Sequence, residues 1–69
     1  MKKNSRNLDY LIGTLWFNKY DSNTIKMAVD IEYIEDHNRV KLETLNGPQA
    51  GMHASVHEID FFNYHKEIK

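Results

Sequence analysis

Between residues 24 and 33 every second position is apolar: Ile25, Met27, Val29, Ile31 and Tyr33 alternate with Lys26, Ala28, Asp30 and Glu32. Successive side chains of a strand point to opposite faces, so the run predicts an antiparallel strand with one packed side and one wet side. Clusters rich in Asp, Ser, Asn, Gly and Pro cut the rest of the chain into short runs, because these residues bond their own backbone or allow tight conformations. The pattern predicts strands over residues 10–18, 24–34, 39–45, 52–57 and 61–67. Turns fall at 20–23, 35–38 and 58–60, and a loop at 46–51. Short strands at this spacing define an all-β meander or barrel.

The pairings follow from the same pattern. A four-residue loop at Glu35-Asp36-His37-Asn38 pairs Tyr33 with Val40 and Ile31 with Leu42 and sets Glu32 opposite Lys41. It also sets Asp30 against Glu43, a like-charge pair that a twist or a bulge must separate. The first hairpin has two registers. One pairs Phe17 with Ile25, Leu15 with Met27 and Gly13 with Val29; the other pairs Trp16 with Met27 and Ile12 with Ile31. A one-residue slip turns every side chain to the other face. The first register exposes less apolar surface and is preferred, and it places Ile12 and Trp16 outside. Phe61 and Phe62, adjacent on a strand, face opposite ways, so one of them is also outside.

Composition narrows the picture. A chain of 69 residues makes one domain, and a domain this small buries only about 60% of its unfolded surface. There is no cysteine, so disulfides and thiolate metal sites are excluded and oligomerisation is the remaining support. The net charge of −1 is uneven: residues 1–19 carry +3 and residues 20–48 carry −3. Only the N-terminal part is basic, through Lys2, Lys3 and Arg6 of the tail and Lys19 beyond it, which is little for a phosphate-binding surface. The apolar stretch after that tail is broken by Gly13 and Thr14, so a signal peptide is not expected. No run approaches the roughly 20 apolar residues of a membrane span. A cytoplasmic location is expected. Seven asparagines beside seven lysines suit an A/T-rich coding genome such as that of a bacteriophage.

Leu11-Ile12-Gly13-Thr14-Leu15 resembles the apolar-Gly-Thr-apolar first strand of SH3-like small barrels, the KOW and Tudor modules among them. Arg39-Val40-Lys41-Leu42, then Gly47-Pro48 and Val56-His57-Glu58-Ile59-Asp60-Phe61-Phe62, is similar to their later half. The resemblance spans residues 10–65 and is one of pattern, without a diagnostic motif. It implies a five-stranded antiparallel SH3-like barrel over residues 10–69, with a short 3₁₀ turn before the last strand and a tail at 1–9. Such barrels bind peptides or nucleic acids or dock subunits, and in the plasmid-borne trimethoprim-insensitive dihydrofolate reductase they catalyse at the centre of a tetramer, so the fold alone does not choose a function.

The residues that could carry chemistry point away from catalysis. His53 and His57 share a strand face about 13 Å apart, too far for one zinc ion. Glu35 and Asp36 sit side by side on a turn, not across a cleft. Ser5, Ser22 and Ser55 lack a nucleophile elbow, and residues 46–51 lack the lysine of a phosphate loop. No enzyme activity, metal or cofactor is expected. The aromatics are more informative, since exposed Trp and Tyr anchor interfaces. The expected function is a non-catalytic protein-binding module, a phage-encoded inhibitor or sequestering protein acting on a host factor or defence protein in the host cytoplasm. It would bind a partner, or itself as a homo-oligomer, through Trp16, Tyr20, Ile12, Phe62 and Tyr64. The alternative is an SH3-like nucleic-acid-binding module using the basic tail, with Trp16 and Tyr20 as stacking groups.

Overall fold

The computed structural model describes residues 7–69. Five strands, β1 (Leu15–Asn18), β2 (Asp21–Ile34), β3 (His37–Thr44), β4 (His53–His57) and β5 (His65–Glu67), form one antiparallel sheet in the order β4-β3-β2-β1-β5. A 3₁₀ turn, Asp9–Leu11, precedes β1, and a helix, α1 (Glu58–Tyr64), links β4 to β5. The fold is thus mostly β, as expected. Two features of the expected barrel are corrected. β4 and β5 remain separate edges, so the sheet is not closed, and the 3₁₀ turn before the last strand is instead an α-helix.

Local chemistry explains the helix. Glu58 and Asp60 lie in its first turn, where the helix dipole favours acids, and the His57 ring accepts a hydrogen bond from the Ile59 N–H at 3.1 Å. The helix packs on β3, β4 and β5 and buries Phe61 completely. Only three residues of the expected last strand remain extended.

The first hairpin takes the preferred register, Leu15 opposite Met27 and Phe17 opposite Ile25. Its faces are nevertheless the reverse of the expectation. The β2–β3 ladder pairs Ala28 with Leu42 and then Asp30 with Lys41, leaving Val29 as a bulge. An extra residue exchanges the faces of a strand. Before the bulge Lys26 and Ala28 turn to the core side beside Trp16; after it Ile31 and Tyr33 do. Leu15, Phe17, Ile25 and Met27 consequently lie on the outer side. Trp16, expected on the surface, is only 6% exposed.

The second hairpin is tighter than expected, with Glu35 and Asp36 alone in the turn and Ile34 opposite His37. Ile31 therefore faces Val40 and Tyr33 faces Asn38, two residues away from the expected register. The shift removes the Asp30–Glu43 conflict: Asp30 now opposes Lys41 and Glu32 opposes Arg39, both opposite-charge pairs.

The core lies on the inner face, where Trp16, Ala28, Ile31, Val40 and Leu42 meet Phe61 of the helix and Leu8 and Leu11 of the N-terminal segment. Leu8, grouped with the tail by its sequence, belongs to the folded part. Trp16 meets Phe61 edge-on at 4.5 Å between ring centroids, and its indole N–H donates to the Thr14 hydroxyl at 2.7 Å. Gly13, at φ +92°, turns the chain from the 3₁₀ segment into β1, and its N–H donates to the Ala28 carbonyl. The Tyr33 hydroxyl accepts from the Leu8 N–H at 2.9 Å and donates to Asp9 Oδ1 at 2.7 Å, which clamps the N-terminal segment over the sheet.

Trp16→Ala is expected to cost about 3–5 kcal/mol, enough to abolish cooperative unfolding in so small a domain, whereas Trp16→Phe should retain it. Urea denaturation followed by circular dichroism measures both. Tyr33→Phe should cost about 1 kcal/mol in the same assay, from loss of the two hydrogen bonds to the N-terminal segment.

Candidate functional site

The outer face is divided between charge and hydrocarbon. Beyond the bulge it is polar. The Arg39 guanidinium donates to the Ser55 hydroxyl and carbonyl, both at 2.8 Å, and the Ser55 hydroxyl donates to Glu32 Oε1 at 2.8 Å. Ser55 is thus engaged on both sides, and the cluster staples β2, β3 and β4 together. Beside it the His37 and His57 rings stack at 4.7 Å and 5° between planes, and His37 Nδ1 lies 2.7 Å from Asp36. His53 and His57 are on one strand face, as expected, and His53 Nε2 lies 3.8 Å from Glu43. Among the described residues no group of three or more His, Cys, Asp or Glu side chains is placed to hold a metal ion.

Before the bulge the outer face is apolar. Leu15 and Phe17 on β1 lie beside Met27 and Ile25 on β2. Ile68 continues β5 next to Leu15, with its N–H donating to the Leu15 carbonyl at 2.9 Å, and Leu45 continues β3 next to Ile25 in the same way at 2.8 Å. These six side chains form two rows across four strands. Leu15, Leu45 and Ile68 are each more than a third exposed, and the other three are partly exposed. Both the 3₁₀ turn and α1 pack on the inner side, so no described element covers this surface.

The residues singled out from sequence are scattered. Trp16 is in the core. Phe62 leans edge-on against Trp16 and Phe61 at centroid distances of 6.2 and 5.0 Å and is partly exposed. On a helix both phenylalanines can approach one indole, which two neighbours on a strand cannot. Ile12 is exposed just before Gly13. Tyr20 and Tyr64 do come together, with ring centroids 6.1 Å apart at 50°. Tyr20 sits in the β1–β2 turn and Tyr64 ends α1; the Lys19 N–H donates to the Tyr64 carbonyl and ties the two together. The outer patch itself was missed. Its signal was the Ile25–Tyr33 alternation, which without the bulge assigns Ile25, Met27 and Ile31 to one face.

A cleft of about 320 Å³ opens where β2 begins, lined by Asp21, Thr24, Thr44, Asn46, Pro48 and Gln49. The side chains of Asp21, Thr24 and Asn46 hold the surrounding loops. Asp21 accepts from the Asn23 N–H and the Thr24 hydroxyl, and Asn46 accepts from the Ile25 N–H and donates to the Asn23 carbonyl.

Of the basic residues named for nucleic-acid binding, Lys2, Lys3 and Arg6 lie outside the described residues, and Lys19 is exposed. No helix among the described residues is long and apolar enough to cross a membrane. Fold and surface together define a small open-sheet domain with one apolar half-face. No family model matches the chain, and neither a curated protein nor a solved structure is significantly similar to it.

One titratable group is built into the inner side. His65 is buried, stacks on Phe61 at 5.3 Å and donates from Nδ1 to the Phe61 carbonyl at 3.1 Å, while its Nε2 has no hydrogen-bond partner among the described residues. Burial holds its pKa below the ordinary value of 6.5, with a smaller push from Lys26 and an opposing pull from the Phe61 carbonyl. The unfolded chain then binds more protons than the folded one just below that value. Stability is expected to be complete above pH 6.5 and to fall as the pH drops through 6.5 toward the lowered folded value. His65→Phe should make the urea midpoint less dependent on pH between 7.5 and 5 than in the wild type, and equal slopes would refute this role.

Proposed function

We propose that the chain is a non-catalytic protein-binding module that docks through the apolar half of its outer sheet face. The observation that supports this most is the two-row patch of Leu15, Phe17, Ile25, Met27, Leu45 and Ile68, contiguous and uncovered among the described residues. Contiguous apolar patches of about 300 Å² and above are often functional on small proteins. Tyr20 and Tyr64, mutually packed and exposed at one end of the sheet, supply the amphipathic anchors that interfaces favour. The sheet is proposed to be an SH3-like barrel left open at one seam. The strand order β4-β3-β2-β1-β5, with the fifth strand paired to the first, supports that reading, although β4 and β5 are not joined. Its size and its Asn- and Lys-rich composition suit a phage-encoded protein that acts by occupying a surface of a host factor.

The protein reading is preferred over nucleic acid because the outer face presents hydrocarbon, and its acids Asp30 and Glu32 stand opposite Lys41 and Arg39, which leaves no basic excess there for phosphate.

Leu15→Lys combined with Leu45→Lys alters only exposed side chains and should leave the far-ultraviolet spectrum and urea midpoint unchanged. Capture of the partner from an extract of the source cell should drop at least about tenfold. Undiminished capture by the folded double variant would refute docking through this face.

A further inference from the structure

The edges of the sheet and its outer face are finished differently. On β4 the Ser55 carbonyl is taken by the Arg39 guanidinium, and β5 is three residues long with Lys66 at its centre. Short edges and edge lysines are the means by which sheets avoid pairing with another chain. No comparable device guards the apolar half of the outer face.

We infer that this half-face is covered by a second copy of the chain, packed face to face about a two-fold axis. The inference rests on the reading of that face as a docking surface, and charge complementarity selects the occupant. Lys66 stands beside Phe17 at the β5 end of the patch, and Glu43 stands beside Met27 at the β3 end. Phe17 and Met27 belong to different rows, so the two charges occupy diagonal corners with apolar side chains between them. A two-fold contact is self-complementary: if Lys66 of one copy meets Glu43 of the other, the reciprocal pair forms as well. Turned face to face, the two apolar centres cover each other and each lysine reaches a glutamate, twice per dimer. The Glu43 side chain is 32% exposed even with His53 beside it, so it remains accessible to a lysine. The sheet surface thus carries both halves of its own complement.

Sedimentation equilibrium of the full chain from about 1 μM to about 1 mM tests this. The wild type should show a reversible monomer–dimer equilibrium. Lys66→Glu and Glu43→Lys should each raise the dissociation constant at least about tenfold, by setting like charges together. The double variant Lys66→Glu/Glu43→Lys should restore it to within about threefold of the wild type. Far-ultraviolet circular dichroism establishes that each variant is folded. A wild type that stays monomeric throughout the range overturns the inference. So does a dimer that the single reversals do not weaken or that the double reversal does not restore. A monomer whose capture of a cell protein still depends on Leu15 and Leu45 removes the second copy as occupant and leaves the docking face standing.

Discussion

Val29 has no partner on β3, and the position of every side chain around it depends on that extra residue. With the bulge, Ala28 and Ile31 both reach the core although their separation is odd, and Trp16 comes under α1 beside Phe61. Without it, Trp16 and Ile31 would face opposite sides of the sheet, and no single element could cover both. The bulge also separates the two parts of the outer face, apolar toward β1 and β5 and charged toward β4. One local irregularity therefore determines the core and the exposed surface together.

The inner face then needs a cover, which comes from two short elements. The N-terminal segment brings Leu8 and Leu11 and is held by Tyr33; desolvation and the hydrogen bond it donates to Asp9 raise the pKa of that phenol, as expected for a hydroxyl retained as a donor. Helix α1 brings Phe61. Neither element is long enough to be stable in water alone, so each depends on the indole and aliphatic groups beneath it. The small interior takes in polar groups that a larger core would leave outside: Glu58 of the helix, His65 of β5 and Asn38 of β3 are all buried, and the Asn38 amide has no protein hydrogen-bond partner among the described residues.

The mostly β character, four of the five strands in outline and the register of the first hairpin were legible in the sequence, because they follow from alternation and from turn-forming residues. The sides of that hairpin were not. A bulge leaves the residue pattern intact and changes only what the pattern means, so Ile25 and Met27 look identical whether they face inward or outward. The charge conflict between Asp30 and Glu43 was the available clue, and the tighter turn at Glu35-Asp36 resolves it. Helix α1 was hidden because Phe61-Phe62 in a seven-residue element satisfies strand and helix patterns equally, and its cap is a histidine, outside the usual capping residues. The aromatics chosen as a site failed where this geometry intervened. Trp16 went to the core, while Tyr20 and Tyr64 met because β5 returns to β1.

The size of the apolar half-face limits how tightly anything can bind there. Two rows across four strands, at the spacings of a sheet, cover on the order of 300 Å². That lies at the low end of the largest patches found on monomers and well below the roughly 800 Å² per partner of a standard stable interface. A contact confined to the patch is therefore weak and reversible. Tight binding requires the partner to extend past the apolar rows, and the two ways out differ. Toward β4 it meets the Arg39–Ser55–Glu32 network, whose hydrogen bonds are already satisfied and which has little to gain. Past the β1–β2 turn it meets Tyr20 and Tyr64, whose rings are exposed and have apolar area to lose. Under the proposed docking, a contact confined to the apolar rows is the weaker mode, and one that also covers the tyrosines is the tighter.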